Sequence, residues 1–147
     1  MAIGLTSPVS ARNQISGKVT NIQSGTAMSV VTIAGDGQQL ISAITNQAVQ
    51  ELGLKKNDSV VALIKSTETM LVKGEIAGMK ISARNKISGR VTGIQKGNAM
   101  ATVSIDGGSL KLTSAITRQA IDELQLSNGD AVTAVIKATE VVLQKAA

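Results

Sequence analysis

The 147-residue chain contains no cysteine, no histidine and no Phe, Tyr or Trp, and it has a single proline. The missing thiols exclude disulfides, thiolate nucleophiles and zinc fingers, and fit a reducing compartment. The missing imidazoles leave borderline metal cations without their usual ligands, so no free metal ion is expected. They also remove the commonest catalytic base. With no carboxylate pair and no Gly-rich phosphate loop either, no catalytic residues and no covalent cofactor are expected, and the chain reads as a binding protein rather than an enzyme. The missing aromatic rings count against nucleic acid, because proteins that hold single strands stack bases on such rings. There is no run of 18 apolar residues to cross a membrane, and the opening MAIGLTSPVS lacks the basic start and apolar core of a secretory signal. The expectation is a cytoplasmic chain with neither membrane nor nucleic acid as partner.

What is present points to a folded anion binder. Apolar residues make up 43% of the chain, enough for a core, and 15 Lys and Arg against 10 Asp and Glu give a net charge of +5, which favours anionic partners. The dominant feature is a duplication. SARN at Ser10–Asn13 returns at Ser82–Asn85, and Gly17/Gly89, Gly25/Gly97, Ser42/Ser114, Lys65/Lys137 and Leu71/Leu143 keep the same spacing without an insertion. More than half of the aligned positions are identical. This divides the chain into a lead (1–9), a first domain (10–73), a Gly-containing joint (74–80, within KGEIAGMK) and a second domain (81–147).

Each copy reads as three strands, a short helix and two strands. QISGKVTNIQ places Ile15, Gly17 and Val19 at period two, with Gly17 marking a bend or bulge. SGTA and AGDGQ are hairpin turns leading into MSVVTI and LISAI. TNQAVQELG changes to helical spacing, with Thr45 as N-cap and Gly53 as stop. SVVALIK and TETMLV complete the copy as strands. This is the order of a five-stranded Greek-key OB-type barrel, so the expected fold is all-β, with one short helix per repeat, as two tandem OB-like barrels. A unit of about 65 residues without aromatic side chains buries little area. Its fourth strand is apolar on both faces, so packing against other units in a homo-oligomer is expected.

Three polar clusters recur: SARN at the first-strand entry, Thr45 and Thr117 at a helix start, and Lys65 and Lys137 at the end of the fourth strand. Together they offer an arginine fork, an ammonium group, hydroxyls and helix N-terminal amides, all of them donors. A site with donors and no carboxylate suits a tetrahedral dianion and disfavours protonated phosphate, whose O–H would lack an acceptor. Molybdate, tungstate and sulfate meet that requirement. Plainer roles are open to the same residues: the threonines as caps, and the lysines as guards of a strand edge or partners of Glu68 and Glu140.

The segments ISARNKISGRVTGIQKGNAMATVSI, LTSAITRQAIDEL and AVIKATEVVL resemble the molybdenum-pterin-binding (Mop) domain, related to the TOBE domain. Two in tandem are similar to the di-Mop molbindins, which store or buffer molybdate. The resemblance runs from Ser10 to Leu143. It implies cytoplasmic, non-catalytic binding of molybdate or tungstate at interfaces between OB-like barrels assembled as six Mop units, hence a homotrimer. The alternatives are an oxyanion-sensing regulatory partner and, with less support, an OB-fold nucleic-acid binder. The implied oxyanion site uses Ser10, Arg12, Asn13, Lys65 and Ser66 from one unit, with the helix start at Thr45 and Ala48 from a neighbour. The second copy supplies Ser82, Arg84, Asn85, Lys137, Ala138, Thr117 and Ala120. Family members often carry serine where Ala48 and Ala120 stand, which leaves only a backbone N–H to donate. Ala138 lacks the hydroxyl of Ser66, so sites from the two copies are expected to differ. Further oxyanion sites near a threefold axis are implied around Gly25, Thr26, Ala27 and Met28, and around Gly97, Asn98, Ala99 and Met100.

Overall fold

The computed structural model describes residues 8–35, 37–74 and 80–145. Residues 1–7 of the expected lead, Asp36 of the second turn and 75–79 of the expected joint lie outside them. In the first unit, β1 (Asn13–Ser24), β2 (Met28–Gly35) and β3 (Gln38–Thr45) form an antiparallel meander. Helix α1 (Asn46–Leu52) follows, and β4 (Ser59–Ile64) pairs with the other edge of β1. After the short strand β5 (Met70–Lys73), the second unit repeats the plan with β6 (Asn85–Lys96), β7 (Met100–Gly107), β8 (Leu110–Thr117), α2 (Arg118–Leu124) and β9 (Ala131–Ile136). The last strand is β10 (Val142–Lys145). Both units are five-stranded curled sheets of the expected OB-like, mostly β class.

The fifth strand of each unit comes from the other repeat. β10 pairs with β4, setting Leu143 opposite Ala62, and β5 pairs with β9, setting Leu71 opposite Ala134. The sheet orders are therefore β10-β4-β1-β2-β3 and β5-β9-β6-β7-β8. The boundaries 10–73 and 81–147 describe the duplication, whereas the compact units divide otherwise: one runs through Ile64 and resumes at Ala138, and the other is Lys65–Lys137.

Two local expectations change. TETMLV is not strand throughout: Ser66–Glu68 form a single 3-10 turn and the strand begins only at Met70. Thr69, which is buried, closes that turn by donating its N–H to Ser66 O and its hydroxyl to Lys65 O. Nor is Gly17 a bulge. The register shift falls between Val19 and Asn21, and recurs between Val91 and Gly93. Gly17 is instead a site of close approach, where a Cβ would lie 2.6 Å from Ala34 O and 2.7 Å from Ile33 Cγ2.

Strand alternation makes the core. Ile15, Val19, Val31, Ile33, Leu40, Val60 and Ile64 fill the first unit, and Ile87, Val91, Val103, Ile105, Leu112 and Ile136 the second. β9 is buried from Val132 to Ile136 on both faces, as its apolar run requires. Val135, on the second of these faces, is covered by Ala83 and Val72.

Helix starts and stops follow the sequence signals. Thr45 Oγ1 accepts from Ala48 N–H at 3.0 Å, and Gly53 takes the left-handed conformation with φ 62°. In α2, Thr117 caps Ala120 in the same way, while Gln125 occupies the left-handed position at φ 51° without the freedom of glycine.

Candidate oxyanion site

SARN is a strand entry at period two, and its burial separates its four letters. In the second unit Ser82 and Arg84 are exposed, while Ala83 and Asn85 are buried. Ala83 packs on Val135, and Asn85, 2% exposed, is engaged within the chain. The first copy matches: Ser10 and Arg12 are exposed, and Asn13 is 2% exposed and likewise engaged. Of the expected residues in this cluster, serine and arginine are open to a ligand and asparagine is part of the fold.

Register sets the lysine beside the arginine. Asn85 pairs with Ile136, so Arg84 and Lys137 each stand one residue beyond the same end of the β6–β9 ladder. The pairing of Asn13 with Ile64 gives Arg12 the same place in the first unit, and Lys65 is the next residue along the chain from Ile64. Ser66 and Ala138 follow these lysines, both half-buried at the start of a 3-10 turn. Among the described residues, the four ion pairs are Lys73–Asp130, Lys111–Asp106, Arg118–Asp122 and Lys145–Asp58. Arg12, Lys65, Arg84 and Lys137 take part in none of them, so the pairing of Lys65 and Lys137 with Glu68 and Glu140 does not occur. Arg84 and Lys137, two unneutralised cations at one strand end, have the charge and donors that suit a dianion.

The helix start lies elsewhere in each unit. Thr45 pairs with Met28, and the neighbouring Ser29 pairs with Ser24, so this is the far end of β1 from Arg12. One unit therefore does not bring Thr45 and Ala48 to Arg12, nor Thr117 and Ala120 to Arg84. The helix start adjoins the Gly25–Met28 turn instead: Asn46 N–H donates to Ala27 O at 2.9 Å, and Arg118 N–H to Ala99 O at 2.9 Å. The Ala48 and Ala120 amides, expected to face an anion, are taken by the capping threonines. Each threonine hydroxyl keeps its own proton to donate.

The two turn ends differ. In the first unit Asn46 Nδ2 donates to Gly25 O at 3.0 Å, and Ser29 Oγ donates to Asn46 Oδ1 at 2.5 Å. In the second, Arg118 replaces Asn46 and donates to Gly97 O at 3.2 Å, beside a shallow depression lined in part by Lys96, Gly97, Met100 and Thr102. Lys96 and Arg118 are not shared by the two copies, since Ser24 and Asn46 stand at the matching positions. Their signal lies in the positions where the copies disagree.

The carboxylates that are perturbed lie away from the arginine–lysine ends. Asp58 is held below the ordinary carboxylate range chiefly by the Lys55 backbone N–H, with help from Lys145 and against the effect of burial. Asp106 is held down chiefly by Lys111, then by the Gly108 N–H. Among the described residues, no group of three or more His, Cys, Asp or Glu is placed to hold a metal ion, and no helix is long and apolar enough to cross a membrane.

Comparison with known proteins agrees with this architecture. The TOBE domain profile matches residues 9–71 and 81–143. The chain is 37% identical over 138 residues to the molybdenum transport protein ModE of Herbaspirillum seropedicae, covering 91% of this chain and 50% of ModE. It is 36% identical over 141 residues to the molybdenum-pterin-binding protein MopA of Rhodobacter capsulatus, covering 95% of this chain and 53% of MopA. The chain thus spans about half the length of these curated relatives. Among solved structures, the cytoplasmic molybdate-binding protein ModG with molybdate bound superposes with a TM-score of 0.88 at 33% identity, covering 93% of this chain and 98% of ModG. The chain belongs to the TOBE domain family, as a tandem pair of Mop-type repeats.

Proposed function

We propose that the protein binds molybdate or tungstate reversibly in the cytoplasm, without catalysis, and so stores or buffers the oxyanion. One observation carries this: Arg84 and Lys137 are exposed at one end of the β6–β9 ladder with no carboxylate paired to them among the described residues, and Arg12 is exposed at the matching end of β1. Relatives named for molybdenum and molybdate share nearly the whole chain. Arg12, Arg84, Lys65 and Lys137 supply the positive charge that balances the dianion. Ser10, Ser66 and Ser82 add hydroxyl donors, and Ala138 adds none. Because the helix start stands at the other end of β1, Thr45 and Thr117 serve a site only from a neighbouring copy. That requirement favours a homo-oligomer, and the expected assembly is a trimer of six repeats. A second class of oxyanion site in that assembly lies at the glycine-turn ends, with residues 25–28 and 97–100 as its two candidates. Neither nucleic acid nor a membrane is needed as a partner.

A second reading, an oxyanion-sensing module acting with another protein, is favoured by the match to half of ModE. Calorimetry with molybdate, tungstate, sulfate and phosphate tests the first reading. Heat with both metal oxyanions, and affinity for phosphate at least tenfold weaker, is the expected result. No heat with either metal oxyanion, together with tight salt-sensitive binding to oligonucleotides, overturns it. Binding that proceeds only in the presence of a second protein favours the sensing module.

A further inference from the structure

We infer that the two glycine-turn ends of this chain are unequal, and that Lys96 and Arg118 make the second unit's end the oxyanion-binding one while the first unit's end is closed. This rests on the proposal that the chain binds oxyanions, and it concerns residues that differ between the repeats. In the first unit the end is neutral and internally satisfied. Ser29 Oγ donates its one proton to Asn46 Oδ1 and accepts from the Ser24 hydroxyl at 3.1 Å, and Asn46 Nδ2 is committed to Gly25 O. Ser29 is fully buried and Val30 presents an apolar side chain, 40% exposed.

The second unit changes each of these positions in one direction. Lys96 stands for Ser24, Thr102 for Val30 and Arg118 for Asn46, while Ala101 in place of Ser29 removes the hydroxyl that ties down the residue at 46. Lys96 and Thr102 line the depression and are exposed, and Gly97, whose carbonyl anchors Arg118, lines it too. The Arg118 fork is only partly used. Its Nε is buried without a hydrogen-bond partner, and the nearest carboxylate oxygen, on Asp122, is 3.7 Å away on an exposed side chain. Counting Asp122 against Lys96 and Arg118, this end carries one net positive charge. Ser24, Asn46 and Gln50 carry none. The Lys96 ammonium and the Thr102 hydroxyl line the depression, and the Arg118 guanidinium is held next to it on the Gly97 carbonyl, a set of donors suited to a small tetrahedral oxyanion.

The test titrates sodium molybdate into the full chain and two reciprocal double variants, Lys96→Ser/Arg118→Asn and Ser24→Lys/Asn46→Arg, with sedimentation to follow assembly. The first is expected to lose one class of sites, by about tenfold or more in affinity, with the remaining class unchanged. The second is expected to gain sites or affinity. Either change in the stated direction supports the inference, so failure of one variant to fold leaves the other decisive. Numbers and affinities within twofold of wild type in both variants, or changes of opposite sign, overturn it while leaving the oxyanion reading intact. A wild-type chain that takes up no molybdate overturns that reading, and this inference with it.

Discussion

Lys145 Nζ donates to the Gly53 carbonyl at 3.0 Å, joining the last described residue of the chain to a helix end 92 positions earlier. The same ammonium lies 3.4 Å from Asp58 Oδ2. The second unit repeats the arrangement, with Lys73 Nζ 3.0 Å from Gln125 O and 3.5 Å from Asp130 Oδ2. In each unit the lysine that ends the fifth strand sits on the carbonyl that terminates the helix, where a cation is favoured. Lys145→Met should lower stability by about 0.5–1 kcal/mol, since the pair is partly exposed. Denaturant midpoints of this variant, of Lys73→Met and of the double variant would show additive losses.

The fifth strand is also preceded by a buried hydrogen bond. Ser42 Oγ donates to Val141 O at 2.6 Å, and Ser114 Oγ donates to Thr69 O at 2.5 Å, with both serines fully buried. Ser42→Ala and Ser114→Ala should each cost about 1–3 kcal/mol, because a buried carbonyl is left without its donor. Thermal unfolding would register this as a lower Tm with no change in the oxyanion affinity of the folded chain.

Glycines of β1 and β6 should respond to alanine in opposite ways. Gly89→Ala places a Cβ 2.6 Å from Asp106 O, and Gly17→Ala meets Ala34 O at the same distance, so each should destabilise by about 1–3 kcal/mol. At Gly93 the nearest atom is 4.0 Å away, and alanine there should be neutral or slightly stabilising. Urea denaturation of the three variants checks the ordering.

The lowered pKa of Asp58 gives stability a definite pH dependence. A carboxyl whose folded-state pKa lies below its unfolded value contributes stability above about pH 4, and loses it as the pH falls through the folded value. Asp58→Asn should therefore be less stable than wild type at pH 7, and the gap should close on acidification below about pH 4. A gap constant with pH would show that the carboxylate charge is not responsible.

Arg12→Ala combined with Arg84→Ala should remove the arginine–lysine class of oxyanion sites, weakening it about 10–100-fold, while assembly stays intact. Calorimetry alongside sedimentation separates the two effects. Undiminished molybdate uptake would show that these arginines are not the ligands.

Much of the candidate site was legible because it is local. SARN recurs in step with a strand entry, and period two already separates an exposed serine and arginine from a buried alanine and asparagine. The asparagines nevertheless looked like ligands by sequence, since a polar side chain declares its burial only once a ladder forms around it. The amide of Ala48 was open to two uses, and the short-range cap from Thr45 took it.

What the sequence determined by itself was the duplication, which rests on one constant offset between the copies, and the helix caps and most of the strand pattern, which rest on spacings within a few residues. Which strand closes which sheet was decided by tertiary structure alone. MLVK at Met70–Lys73 and VLQK at Val142–Lys145 both place a leucine opposite the same alanine position and a lysine at the strand end, so either satisfies either sheet. Local pattern cannot distinguish two equivalent partners. The choice belongs to the path of the chain after the 3-10 turns, which sends each strand to the ladder of the other repeat.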